Sequence, residues 1–412
     1  MEDTNQSVVL MLDLPAKSLC GINLLSFTTN PKFQGIKGLP PGIHFIFTGA
    51  TNSFSVRHGV WFRIERPNST DPIDVVIKKW DAEREELVDE TDKAEQLRWR
   101  ANLGTIWNDR LTPYRQSAAT KESQEDGALV EQKGDWGRLS DFVTSTLLSR
   151  ILGGEWNDWK ITSASSAKED MEDIAGLSQR SPPSSIQPEK VLKFLPINLK
   201  ETWRAGATGR ERTEGAQDRS WALGNVISNY CSYGIAEEVI GEMQFSFLMV
   251  LTLNNFSCLE QWKRILSLMF TCSSAIAERP ELYIRLLECL NLQLHHHDDI
   301  EGGLLGLEDE TGVMIRRLLK IFRRNLDDVF SPPLLSVRNS LDELEAFLKS
   351  EFDWYLSDSW VRSGMLELED GEQVEMDTID MEDEDETGEY APVVLDLEAL
   401  PKSIHDSDSD GY

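Results

Sequence analysis

The 412-residue sequence has only five cysteines and six histidines, and few cations for its acids, with 41 Lys and Arg against 71 Asp and Glu. The cysteine number is odd and none of Cys20, Cys231, Cys258, Cys272 and Cys289 belongs to a CxxC pair, which points to buried thiols in a reducing compartment rather than to a disulfide framework. No apolar run approaches the ~20 residues of a membrane span. Glu2 and Asp3 stand where a secretory signal would be basic. These absences lead to the expectation of a protein of cytoplasm and nucleus with no membrane partner. The short signatures of hydrolases, nucleotide enzymes and zinc proteases (GxSxG, GxxxxGK, GxGxxG, HExxH) are also missing. With three of six histidines adjacent, the supply for acid-base chemistry is thin. The expectation is a binding protein that is no enzyme and uses no cofactor or metal. The alternative is a cytosolic hydrolase with catalytic carboxylates scattered through its β-rich half.

The net charge of -30 is unevenly placed. Residues 351–412 hold 21 Asp and Glu against 2 Lys and Arg, so this tail accounts for -19 and the other 350 residues for -11. An acidic body of this kind is a poor unaided ligand for phosphate backbones, and no direct nucleic-acid contact is expected.

What is present divides the chain. Runs rich in β-branched and aromatic residues at 7–14, 21–27, 43–48, 54–64 and 74–80 are separated by Gly, Pro and Asn breaks, as in an antiparallel sandwich. Alternation places Ile43, Phe45 and Phe47 on one core-facing side and His44 on the other, where it reads as a surface or hydrogen-bonded strand histidine. Helical spacing begins at Ala82 and runs to Leu103, and again over 139–152. Residues 162–185 read as a linker, after which six amphipathic segments follow, at 221–230, 235–253, 257–270, 280–294, 311–326 and 333–348. The predicted fold is α+β in two domains: an N-terminal antiparallel β-sandwich-like domain with covering helices (1–160), a linker and extended arm (161–220), and an all-α helical domain (221–356). Beyond them come a disordered acidic tether (357–389), a strand-like peptide (390–398) and a disordered end (399–412).

Each candidate site has a plainer competing reading. His295, His296 and His297 could suggest a metal, but successive helical side chains diverge by roughly 100°, so a helix C-terminus whose dipole suits imidazole is the better reading. The apolar stripe over 244–251 with Trp262, Ile265, Leu266 and Met269 reads as core rather than partner groove. Lys200, Arg204, Arg210, Arg212 and Arg219 could meet phosphate or RNA, but in acidic surroundings they read as an arm packed on its own helical domain. The peptide Ala391, Pro392, Val393, Val394, Leu395, Asp396, Leu397 has no such easy competitor. A lone strand on a polar tether either folds back or joins another sheet's edge, and the second is favoured, with Val393, Leu395 and Leu397 on one face. Ser403 and Ser407 precede Asp406 and Asp410 by three positions, the pattern that acid-directed kinases prefer, and are candidate phosphorylation sites.

Several pieces together resemble the A1 cistron-splicing factor (Aar-two) family: Pro31-Lys-Phe-Gln-Gly-Ile-Lys-Gly-Leu-Pro-Pro-Gly-Ile-His44, Gly241-Glu-Met-Gln-Phe-Ser-Phe247 leading into Glu260-Gln-Trp-Lys-Arg-Ile-Leu-Ser-Leu268, Leu282-Tyr-Ile-Arg-Leu-Leu287, and Ala391-Pro-Val-Val-Leu-Asp-Leu397. The resemblance implies a β-sandwich-like domain followed by a helical one. It further implies an assembly factor of the U5 snRNP that binds the RNase H-like and Jab/MPN-like domains of that particle's large scaffold protein, to the exclusion of its helicase and RNA. It would place 393–397 in a strand shared with the scaffold. Residues 162–189, 372–389 and 401–412 depart from the family pattern.

Overall fold

A computed structural model describes residues 7–49, 56–65, 73–114, 134–154, 159–166, 191–299, 310–328, 334–356, 364–367 and 373–376. Its first part contains ten strands: β1 (Val8–Leu12), β2 (Leu19–Ile22), β3 (Leu25–Thr28), β4 (Gly35–Lys37), β5 (Gly42–Gly49), β6 (Arg57–Ile64), β7 (Val75–Asp81), β8 (Glu86–Asp89), β9 (Leu111–Pro113) and β10 (Trp159–Thr162). They form two five-stranded sheets, ordered β8-β7-β1-β4-β9 and β10-β6-β5-β2-β3. The second sheet is antiparallel throughout, whereas the first contains the parallel pairs β1/β7 and β4/β9. The sandwich is therefore partly mixed. Chain segments that cross between sheets return strands in the same direction, which hairpin spacing alone does not reveal.

Three cores stack through this part. Val9, Met11, Ile36, Ile46, Val60 and Phe62 fill the space between the sheets. Val8, Leu10, Val75 and Ile77, on the outer side of the first sheet, pack with Leu103 and Ile106 of α1 (Lys93–Ile106). Phe45, Phe47, Trp61 and Trp159, on the outer side of the second sheet, join the helical half. Strands with both faces covered read as nearly continuous apolar runs, as Val8–Leu12 does.

The helix expected from Ala82 to Leu103 is two elements. Residues 86–89 form β8, a hairpin partner of β7 in which Leu87 opposes Trp80 and Lys78 opposes Asp89, with Glu85 at φ 55° in the turn. Leu87 is buried, and the Lys78 ammonium lies 2.5 Å from Asp89. Asp92 then caps α1 by accepting from the Ala94 amide. Pairing with a neighbouring strand outweighs local helix preference here. The helix expected over 139–152 is the shorter α3 (Ser145–Leu152), capped by Thr144 and preceded by the separate short α2 (Asp135–Leu139).

The later helices are α4 (Gly209–Gln217), α5 (Ser220–Tyr230), α6 (Glu237–Leu253), α7 (Phe256–Phe270), α8 (Ser273–Glu278), α9 (Pro280–Leu294), α10 (Glu310–Asp328) and α11 (Leu334–Phe352). Helix α6 is buried on every side from Glu238 to Leu253, with the sandwich on one flank and α7 and α9 on the others. A helix in that position has no polar face, as its sequence shows. Asn254, at φ 55°, ends α6, and Asn255 starts α7 by accepting from Cys258 N.

The two halves share one core. Leu192 and Leu195 of the arm are buried in it, and the unit running to Leu356 is a single compact body. Residues 357–412 form a separate unit, in which β11 (Gly364–Glu367) pairs antiparallel with β12 (Gln373–Met376). This hairpin falls inside the stretch expected to be a disordered tether.

Candidate interaction surfaces

The predicted partner strand Ala391–Leu397 and the candidate modification sites Ser403 and Ser407 lie outside the described residues. The other sequence candidates are described and can be placed.

His44 is buried, not at the surface. Its Nε2 donates to the Pro40 carbonyl (2.7 Å) and its Nδ1 accepts from Asn23 Nδ2 (3.0 Å), so both ring nitrogens are occupied. Burial pulls its pKa down to about 4, against the opposing effect of the Pro40 carbonyl. This is a neutral structural histidine that ties the β2/β3 turn to the Pro40 loop.

The three adjacent histidines lie just past the last turn of α9 and take separate partners. His295 stacks on Phe347, with ring centroids 3.8 Å apart, and donates to Asn291 O. His296 Nδ1 meets Asp299 (2.7 Å), while His297 Nδ1 meets Leu294 O (2.9 Å). They cap the end of α9, and no cluster of His, Cys, Asp or Glu suited to a metal occurs among the described residues. The stripe over 244–251 is buried core.

The cationic arm is largely bound within itself. Arg204 pairs with Glu211, Arg210 with Glu214 (2.8 Å), and Arg212 Nε donates to Ala207 O (3.0 Å). Thr208 and Glu211 complete a reciprocal cap on α4, which with Arg204 brings the Glu211 pKa down to about 2.

Sequence reading missed the densest polar constellation, at the seam between the halves. Arg150 on α3 donates to Glu238 (Nε, 2.6 Å), Glu242 (Nη2, 2.7 Å) and the Lys193 carbonyl (Nη1, 3.2 Å). Glu242 also accepts from the Leu195 amide (2.9 Å) and Gln261 Nε2 (2.8 Å). Burial pushes the Glu242 carboxyl up, and Arg150 and the two N–H donors pull it partly back. Two residues on, Gln244 accepts from Phe142 N (2.9 Å) and donates to Asp141 (2.7 Å). The signal that could have found this was three polar residues, Glu238, Glu242 and Gln244, inside an otherwise apolar helix, because such residues persist only when paired.

Glu238 and Glu242 lie close together on α6, in the helical half, and both are held by Arg150. A separate recess beside the last turn of α6, lined by residues including Leu19, Asn23, Phe47, Arg57, Leu251 and Thr252, has a volume of about 60 Å³. Small-molecule sites typically span roughly 300–1,000 Å³. What the geometry offers is a compact body with an ion-paired seam, whose exposed large apolar side chains include Tyr230, Tyr233, Ile235 and Leu335.

A two-sheet sandwich sharing its core with an array of helices around one helix buried from Glu238 onward defines a two-part α+β protein. Residues 5–153 match the description "AAR2 N-terminal domain" and residues 194–357 match "AAR2 C-terminal repeat region". The chain belongs to the AAR2 family. Among its relatives, "Protein AAR2 homolog" of Mus musculus is 26% identical over 317 residues, covering 70% of this chain and 75% of the relative. The Caenorhabditis elegans homolog is 24% identical over 309 residues, covering 70% and 79%. "A1 cistron-splicing factor AAR2" of Saccharomyces cerevisiae is 22% identical over 273 residues, covering 63% and 69%.

Proposed function

We propose that this chain is a non-catalytic splicing factor that assists assembly of the U5 snRNP in cytoplasm and nucleus. It binds the RNase H-like and Jab/MPN-like domains of that particle's large scaffold protein and holds off the helicase and RNA until maturation. Family membership across both halves of the body carries this reading, since a relative aligned over 63% of the chain bears the name of a splicing factor. The compact body supplies the main contact. The peptide Ala391–Leu397 adds a strand to the scaffold's sheet edge, its affinity raised by the tether once the body has docked.

The test compares full-length protein with a truncation after Glu389 in titrations against the two scaffold domains, with and without the helicase. Truncation should weaken binding by about tenfold or more and allow the helicase to enter. Equal affinity and unchanged helicase exclusion would remove the strand from the mechanism.

A further inference from the structure

The loop between α5 and α6 holds Tyr233 in the left-handed region, at φ 56°, with 97% of its surface exposed. A bulky side chain rarely adopts that backbone, and an aromatic ring left wholly in water adds nothing to the fold. Tyr230 and Ile235 flank it, each about half exposed. The loop is nevertheless tightly tied. Gly234 N donates to Cys231 O (3.1 Å), Ile235 N to Ser232 O (3.1 Å) and Glu238 N to Ile235 O (3.2 Å). Ser232 N donates to Glu238 Oε2 (2.6 Å), the carboxylate that Arg150 holds from the other half of the molecule. A strained exposed ring on an anchored loop is pre-organised for a partner, because the ordering cost of docking is met in the free protein.

Charge narrows the partner. From Ser220 to Trp262 the chain contains four Glu and no Lys or Arg. Glu238 and Glu242 are neutralised by Arg150, and Glu260 lies 3.1 Å from Lys263. Glu237, exposed beside Ile235, has no ion pair among the described residues. A membrane surface, anionic on its cytoplasmic side, would repel this loop.

We propose that the Tyr230–Ile235 loop is a protein-docking knob, with Tyr233 entering an apolar pocket whose rim carries Lys or Arg to meet Glu237. The inference rests on the reading that this chain docks on a protein scaffold, and it assigns the body a contact separate from the terminal strand. Tyrosine at the centre of such a contact is typical of residues whose truncation costs most affinity.

The decisive variant is Y233G, which removes the ring while glycine accepts the same backbone, so folding stability should stay near that of the parent. Against the two scaffold domains, full-length Y233G should bind about tenfold or more weakly, and E237K should also weaken binding. Equal affinity for parent and Y233G overturns the knob, whereas failure of the parent itself to bind overturns the scaffold reading instead. In that second event, a photo-crosslinking residue at 233 in cell extract decides. A cross-linked protein that, once purified, binds Y233G at least tenfold more weakly upholds the knob, and no cross-link alongside a normal yield at 395 overturns it. Binding of the parent to phosphatidylserine vesicles, or self-association in light scattering that Y233G abolishes, would assign the loop to a lipid surface or a second copy and also refute the proposal.

Discussion

Replacing Arg150 by alanine should strike the seam between the two halves. The guanidinium satisfies two carboxylates and one carbonyl, and the Glu242 side chain is fully buried. Its removal leaves Glu238 and Glu242 facing each other across one turn of α6 without a counter-charge. Breaking a buried ion pair by deleting one partner costs roughly 3–5 kcal/mol. Leu195 N and Gln261 still donate to Glu242, so we expect the lower end, about 3 kcal/mol, at neutral pH. The deficit should depend on pH with a definite sign. Without Arg150 the folded carboxyl is raised further above its unfolded value by burial, so its contribution is present below the unfolded pKa and lost as pH rises through the folded one. R150A should therefore be less impaired at pH 5 than at pH 8, as measured by urea unfolding, and adding E242Q should flatten the difference. A loss under about 1 kcal/mol, equal at both pH values, would refute the view that this triad holds the seam.

Gly241 supports the same seam sterically: a Cβ there would lie 2.4 Å from the Phe142 carbonyl oxygen, so G241A should destabilise by about 2 kcal/mol in the same unfolding assay. Gly224 on α5 has open space around its Cβ position, and G224A should stabilise by roughly 0.5–1 kcal/mol. Burial holds His44 neutral down to about pH 4. Its folded pKa lies below its unfolded value, so it contributes stability that is present above about 6.5 and lost as pH falls toward 4, on the order of 3 kcal/mol. H44N should flatten that slope in acid unfolding curves, and an unaltered slope would count against it.

The helical half was more legible than the β half for a physical reason. Helical periodicity is local, so the six predicted segments agree with α5, α6, α7, α9, α10 and α11 to within a few residues. The short α4 and α8 carry too few apolar positions to register a period. Strands depend on partners that are remote in sequence. The short β4, β9 and β10 gave no readable pattern, and β8 carried a helix-like one until Trp80 and Lys78 claimed its residues. Phe45 and Phe47 were legible as core because alternation fixes their face. His44 lies on the opposite face, as alternation placed it, but that face is covered by the first sheet, so the hydrogen-bonded reading holds and the surface one does not.

The sequence by itself determined the division into a β-rich half, a helical half and an acidic tail, the family, and the identity of most core residues. These follow from composition and from periods of two and 3.6 residues, which are properties of neighbours along the chain. Only the tertiary structure decided that the arm is part of the core, that Glu238 and Glu242 on α6 meet Arg150 on α3, and that the Glu238 carboxylate also holds the strained loop carrying Tyr233. Such pairings join groups about 90 residues apart. Their energies come from burial and counter-charge, which no local pattern contains.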